Sequence, residues 1–396
     1  MSETPMATTN KLFGGTMMSP IVDPYSVYKR LRDDHPALPV HTMMGIIHMI
    51  TRYDDVEMVL KDGKTFSSKA NARGIGIVMG RTILEMEGKE HVRFRNIIAP
   101  FFGPRAMKAE TGELVSSIIN RLIDEFAGAG SADLVQQFTF SFPMEVMANI
   151  IGVPVDDYHA FHRMALDLIS VGDDPARGFQ AAQDLVTYLS PLMEQRKAEP
   201  RGDLLSKLVH AEVEGARLTD EEVLGFLRLL LPAGAETTYR LTGSCLYAML
   251  RHPEVYEEVR SDRTKIDLLI QETLRWESPV QFVSREATED LELSGQHVPA
   301  GALLSVTVGS ANRDERHYPE PDRFDLYRKN DDHLAFGFGA HFCAGSHLAL
   351  LEARTALNAL IDRLPNLHLD STQECEVVGL AFRSPNRLPV RFDARH

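Results

Sequence analysis

Cys343 lies in the run Phe336-Gly337-Phe338-Gly339-Ala340-His341-Phe342-Cys343-Ala344-Gly345, directly before an apolar-periodic stretch that begins near Ser346. Free amides and the positive dipole end at a helix start stabilise a cysteine as its thiolate. Glycines at 337, 339 and 345 let backbone approach a flat ligand closely. Alone, a free cysteine is usually a small buried hydrophobe, so the loop around it decides the reading. Zinc ligation by His341, Cys343 and His347 is disfavoured, because no nearby cysteine pair completes a four-ligand set. A phosphate loop would need a terminal Lys and hydroxyl residue that this run lacks.

A second group lies at Ala233-Gly234-Ala235-Glu236-Thr237-Thr238, after Pro232, inside a long apolar stretch. Pro232 cannot donate to the carbonyl four residues back and Gly234 weakens the turn, so a kinked or opened helix is predicted here. The polar pair Glu236 and Thr237 is costly in such a segment unless hydrogen-bonded or functional. The bland alternative is a threonine bonded back to its own helix with the glutamate reaching solvent. Glu272-x-x-Arg275, one helical turn apart, is by itself a pair of about 0.2–0.5 kcal/mol. His91 and Arg95 lie four apart on one predicted helical face, and Arg285 sits at the start of a predicted strand; alone, each would be surface solvation.

The cysteine run resembles the haem-binding loop of the cytochrome P450 family across its full length. The resemblance extends from about Asp23 to Val390, with the motifs in the family's order. It implies haem b as cofactor, with Cys343 as the iron ligand, Phe336 and Ala233 beside the haem, and His91, Arg95, Arg285 and His341 on its propionates. Glu236 and Thr237 would form the oxygen groove, although many bacterial relatives carry Asp at the position of Glu236. Pro321-Asp322-Arg323-Phe324 makes Arg323 the expected third member of a buried network with Glu272 and Arg275. Ile77, Val78, Leu229, Ala233, Gln281, Val283 and Phe382 would line the substrate pocket, with Gln281 or Arg383 anchoring any polar end.

The implied activity is a monooxygenase that inserts one oxygen atom from O2 into a hydrophobic small molecule, by hydroxylation or oxidative demethylation. A peroxide-driven peroxygenase and a non-catalytic haem sensor are the alternatives, and the acid–alcohol pair argues against both. No flavin or iron–sulfur segment is present, so electrons are expected from a separate ferredoxin with its NAD(P)H reductase, docked near Arg93, Arg105 and Lys108.

The elements that must position these residues are mainly α with small β-sheets, an α+β chain with a long central helix. The 396 residues, 44% hydrophobic and 25% charged, show no linker, so one domain over 1–396 is expected, with 1–20 a flexible N-terminus. Apolar periodicity predicts helices at 26–31, 53–61, 90–102, 110–127, 144–151, 179–197 and 204–214. A capping box at Thr219 to Glu222 opens a helix to about Arg251; further helices end near Trp276 and span 346–364. A hairpin is expected about 46–51, a mobile loop over 74–80, and strands within 283–301. The net charge of −14 disfavours nucleic acid and anionic membranes, and no run is apolar enough to span a bilayer. Three scattered cysteines fit a reducing compartment, and a cytoplasmic monomer is expected.

Overall fold

The computed structural model describes residues 7–16, 18–42, 45–107, 109–154, 158–329 and 331–394. Its centre is the helix Asp220–Arg251, buried on nearly every side from Val223 to Leu250. The capping box starts it: the Glu222 amide donates to Thr219 Oγ1 at 3.3 Å, and the Thr219 amide donates to the Glu222 carboxylate at 2.7 Å. The segment stays α-helical through Pro232, so the helix does not open there. Proline removes one donor only, and packing holds the turns on either side. At Gly234 an added Cβ would stand 2.5 Å from Met147 Sδ, so this glycine admits the helix Phe142–Ile151 at close range.

Two helices, Tyr158–Ile169 and Pro175–Ala198, pack on each other, and the first of them also packs on the central helix. The helix Gly88–Phe102 and the helix Ser346–Arg363 that follows the cysteine frame the candidate site. A six-stranded sheet runs in the order 7–8, 37–42, 45–50, 303–306, 283–287, 66–67. Leu303–Val306 is parallel to Gly45–Ile50 and antiparallel to Val283–Ala287, a register that sets Leu304 opposite Arg285. No helix among the described residues is long and apolar enough to cross a membrane.

Three local expectations change. Within the segment read as a flexible N-terminus, Ala7–Thr8 pairs with Val40–His41 and the helix Thr9–Phe13 buries Phe13 edge-on against Tyr28; residues 1–6 and 17 lie outside the described residues. The helix expected to reach residue 214 ends at Val209, and a hairpin pairs 212–213 with 216–217. Glu214 and Gly215, at φ 55° and 83°, supply the left-handed pair that a tight hairpin requires. The supposed mobile loop contains the short helix Gly76–Met79 and lies against the central helix, where a Cβ on Gly225 would meet the Arg81 carbonyl at 2.8 Å.

Candidate active site around Cys343

Gly337 and Gly339, at φ 71° and 70°, fold the cysteine run into a tight loop through backbone that L side chains rarely adopt. A Cβ on Gly339 would fall 2.8 Å from the Leu60 carbonyl oxygen, so the loop seats directly on the helix Tyr53–Lys61. The Cys343 amide donates to the Phe336 carbonyl at 2.8 Å and closes the turn. Burial pushes the Cys343 thiol up, while the amides of Gly345 and Ser346 and the charge of Arg95 pull it down. The sulfur therefore already faces the donors of a helix start.

Four basic groups from three segments, the helix Gly88–Phe102, the strand Val283–Ala287 and the loop itself, converge here. His91 is buried, its Nε2 has no hydrogen-bond partner, and its ring centroid lies 4.2 Å from that of His341. Burial first, then His91, Arg285 and Arg95, push His341 down to about 3. Arg285 is buried and pushed down to about 10 by desolvation, with Glu87 opposing; its Nη1 donates only to the Ser284 carbonyl, at 2.8 Å. Arg95 donates to the Phe342 carbonyl at 2.5 Å, and burial lowers it too. Neither arginine forms an ion pair with a described carboxylate, and Glu87 Oε1 is occupied by the Ser67 hydroxyl and the Ser68 amide, each at 2.8 Å. Buried cations need an anion. A flat ligand carrying two carboxylates beside a thiol-bound metal fits this set of donors.

On the central helix, Thr237 Oγ1 donates back to the Ala233 carbonyl at 2.7 Å. Glu236 does not reach solvent: it is 1% exposed, with Oε1 2.8 Å from His162 Nε2 and Oε2 3.3 Å from Arg240 Nη2. The His162 ring stacks on Phe140 at 3.9 Å. Arg240 also donates to Ser384 Oγ at 3.2 Å and lies over the Tyr239 and Phe382 rings. Sequence reasoning missed both partners. Arg240 had a signal in its i+4 spacing from Glu236; His162, 74 residues upstream, had none.

Glu272 and Arg275 form a fully buried bidentate pair, at 2.8 and 2.7 Å. Arg275 Nη1 further donates to the carbonyls of Asn312 and Pro321, each at 2.9 Å. The expected third member is corrected. The Arg323 side chain is 62% exposed and pairs with Glu320 and Asp325, whereas Arg328, 9% exposed, reaches Glu272 Oε1 at 3.2 Å. Arg323 contributes only its carbonyl, which accepts from Arg275 and Arg328. Asn312 links this network to the cysteine loop: its Oδ1 accepts from the Leu334 amide at 2.8 Å.

Of the predicted pocket residues, Val78, Leu229 and Phe382 share one apolar cluster with Phe336 and Ala344, and Val283 packs on the neighbouring one. Ala233 and Ile77 are exposed, and Thr237 is half-buried one turn beyond Ala233. Gln281 stands apart. Its Nε2 donates to the Ser278 carbonyl at 2.7 Å, and its Oε1 is pressed so closely on Gly309 that a Cβ there would lie 1.9 Å away. Arg383 is engaged by Glu277 at 2.6 Å and by the carbonyls of Ile21, Val22 and Gly379, and is not free to anchor a polar substrate end, while Gln281 is fully buried with its Oε1 left without a hydrogen-bond partner. Arg93 pairs with Glu214, Arg105 is exposed, and Lys108 lies outside the described residues.

The sequence model of the family described as Cytochrome P450 matches residues 157–377. The chain is 37% identical to the cytochrome P450 monooxygenase PikC of Streptomyces venezuelae, over 93% of this chain and 91% of that one. Its fold is similar to that of CYP109E1 from Bacillus megaterium in complex with testosterone, with a TM-score of 0.87 and 30% identity over 94% and 98% of the two chains. It also resembles P450BioI in complex with an acyl carrier protein ligated to hexadec-9Z-enoic acid, with a TM-score of 0.85 and 31% identity over 94% and 99%.

Proposed function

Since the chain belongs to the cytochrome P450 family, and is a monooxygenase that binds haem b, we propose that Cys343 is its axial thiolate and that His91, Arg95, Arg285 and His341 receive the two propionates. The observation that carries this assignment is the basic cluster without a carboxylate partner, centred on the orphaned His91 Nε2. Charge-assisted bonds to two carboxylates would satisfy it. Metal binding deprotonates a coordinating thiol outright, which offsets the burial that raises Cys343 in the free protein. Phe336 and Ala233 would pack on the macrocycle. Haem ligated by a thiolate supplies O2 activation, because the sulfur's electron density favours O–O cleavage.

The chain's own groups would position substrate and protons. Thr237 can turn its hydroxyl from the Ala233 carbonyl to the open side at the cost of one net hydrogen bond, about 0.5–1.5 kcal/mol. Glu236 is the nearby acid that would supply the proton. Val78, Leu229 and Phe382, which share one apolar cluster, together with Val283 and the exposed Ala233, would give an apolar lining that suits a hydrophobic substrate. The steroid and long-chain acyl ligands of the similar structures belong to that class. The reaction we assign is insertion of one oxygen atom by hydroxylation or oxidative demethylation. Electrons would come from a separate ferredoxin and its NAD(P)H reductase, and the three unpaired cysteines suit a monomer working in the reducing cytoplasm.

The test uses Thr237→Ala and Glu236→Gln with haem retained. We expect Thr237→Ala to lower product formed per NAD(P)H and Glu236→Gln to slow O2 uptake by roughly 10²-fold or more, the contribution of a positioned acid. Unchanged coupling and uptake would refute these roles. A spectral-shift screen of apolar compounds supplies the substrate.

A further inference from the structure

Both oxygens of Glu236 are engaged, and the two partners differ in kind. Arg240 lies one turn further along the same helix and moves with it. His162 comes from the helix Tyr158–Ile169, and its ring is fixed by the Phe140 stack at 3.9 Å and 28°. The His162 contact is the shorter, 2.8 Å against 3.3 Å, and it is almost wholly withdrawn from water, with side-chain exposures of 4% and 1%. Arg240 has other partners available in Ser384 Oγ and two aromatic faces. A carboxylate so buried is tolerated only when paired, and removing one partner of such a pair is strongly unfavourable. Glu236 therefore cannot turn an oxygen towards Thr237 without giving up a bond, and the bond to Arg240 is the one more easily given up.

We propose that His162 is the positioning residue of the proton-delivering acid: it fixes Glu236 Oε1, so that Oε2 is the oxygen that leaves Arg240 and serves the Thr237 side. This rests on the reading of Glu236 as that acid. In the transfer, Oε2 leaves Arg240, takes up a proton from solvent and gives it to the Thr237 hydroxyl, which passes its own proton on; the carboxylate left behind keeps the His162 Nε2–H as donor on Oε1 and regains Arg240 on Oε2. No electron moves. The contact also makes the acid's direction depend on the placement of the helix Tyr158–Ile169, which is joined through Ser170–Gly172 to the helix Pro175–Ala198.

The experiment compares His162→Phe, which keeps a ring on Phe140 but has no N–H, with His162→Gln, which keeps a donor. Each is made alone and together with Glu236→Gln in the haem-loaded enzyme. Two readouts are taken: NAD(P)H-driven O2 uptake with testosterone as probe, and the ring 15N resonances of His162 in the reduced, carbon-monoxide-bound form. We expect His162→Phe to slow O2 uptake about tenfold, below the roughly 10²-fold ascribed to the acid itself. His162→Gln should recover most of that rate, and His162→Phe should add nothing when Glu236 is already Gln. The His162 Nε2 resonance should move on Glu236→Gln. The inference is overturned if His162→Phe keeps uptake within twofold of the parent while Glu236→Gln loses it. A loss that adds in full to that of Glu236→Gln, the mark of a merely structural contact, also overturns it, as does an unmoved Nε2 resonance. If Glu236→Gln itself keeps full uptake, the acid reading fails first and takes this one with it.

Discussion

Replacing Arg328 with Ala removes a guanidinium that donates to Glu272 Oε1 at 3.2 Å and to the carbonyls of Pro319, Glu320 and Arg323 at 2.7, 3.0 and 3.1 Å. Breaking a buried ion pair by deleting one partner costs about 3–5 kcal/mol. Glu272 retains its bidentate pair with Arg275, which argues for the lower end, about 3 kcal/mol. Unfolding entropy near 2 cal/mol/K per residue makes that a fall of roughly 4 °C in Tm for a chain of this length. Arg323→Ala deletes only exposed pairs, worth about 0–1 kcal/mol, and should lower Tm by roughly 1 °C or less. The assay is thermal unfolding of the haem-loaded protein at matched scan rates, since irreversible unfolding makes Tm depend on scan rate. Equal losses for the two variants, or a larger loss for Arg323→Ala, would refute the assignment of Arg328 as the third member.

Gly339→Ala forces a left-handed backbone at φ 70°, costing about 1–2 kcal/mol, and sets a methyl 2.8 Å from the Leu60 carbonyl. Haem content per protein, read as the ratio of Soret to protein absorbance, should fall sharply; a parental ratio would contradict the seating of the loop. Glu352, fully buried on the helix after Cys343, has its carboxyl held well above the ordinary carboxylate range by desolvation. With the folded-state value raised, the folded chain binds the proton more tightly, so this stability is fully present below the unfolded value of about 4.3 and is lost as pH rises through the folded one. Glu352→Gln, neutral at every pH, should therefore gain in denaturation midpoint over the parent as pH rises above about 4.3. Parallel pH profiles would exclude a buried, protonated Glu352.

The cysteine loop was legible because its geometry is local. Glycines at 337 and 339 answer to backbone at positive φ, and the sulfur's donors lie two and three residues further on. His91, Arg95 and Arg285 were legible through the family pattern, and the sheet register and the helix Gly88–Phe102 bring them to one loop. What failed depends on side-chain reach in irregular chain. Arg323 and Arg328 lie five residues apart in irregular chain, and only the fold decides which of them reaches Glu272. Gln281 and Arg383 were placed near substrate by position along the chain, but the packing of Gly309, Glu277 and the 21–22 backbone claims them. Gly234 looked like a weak point where the helix could open, but the helix is unbroken there and the missing side chain leaves room for Met147. The His162–Glu236 contact joins residues 74 apart on two helices and leaves no periodic trace in the sequence.

The most direct measurement of the chemistry at Cys343 is the absorption spectrum of the reduced, carbon-monoxide-bound protein beside that of Cys343→Ser. Thiolate ligation predicts a Soret band of thiolate character in the parent and its loss in the variant. A thiolate band that survives in Cys343→Ser, or a parent without one, would contradict Cys343 as the iron ligand.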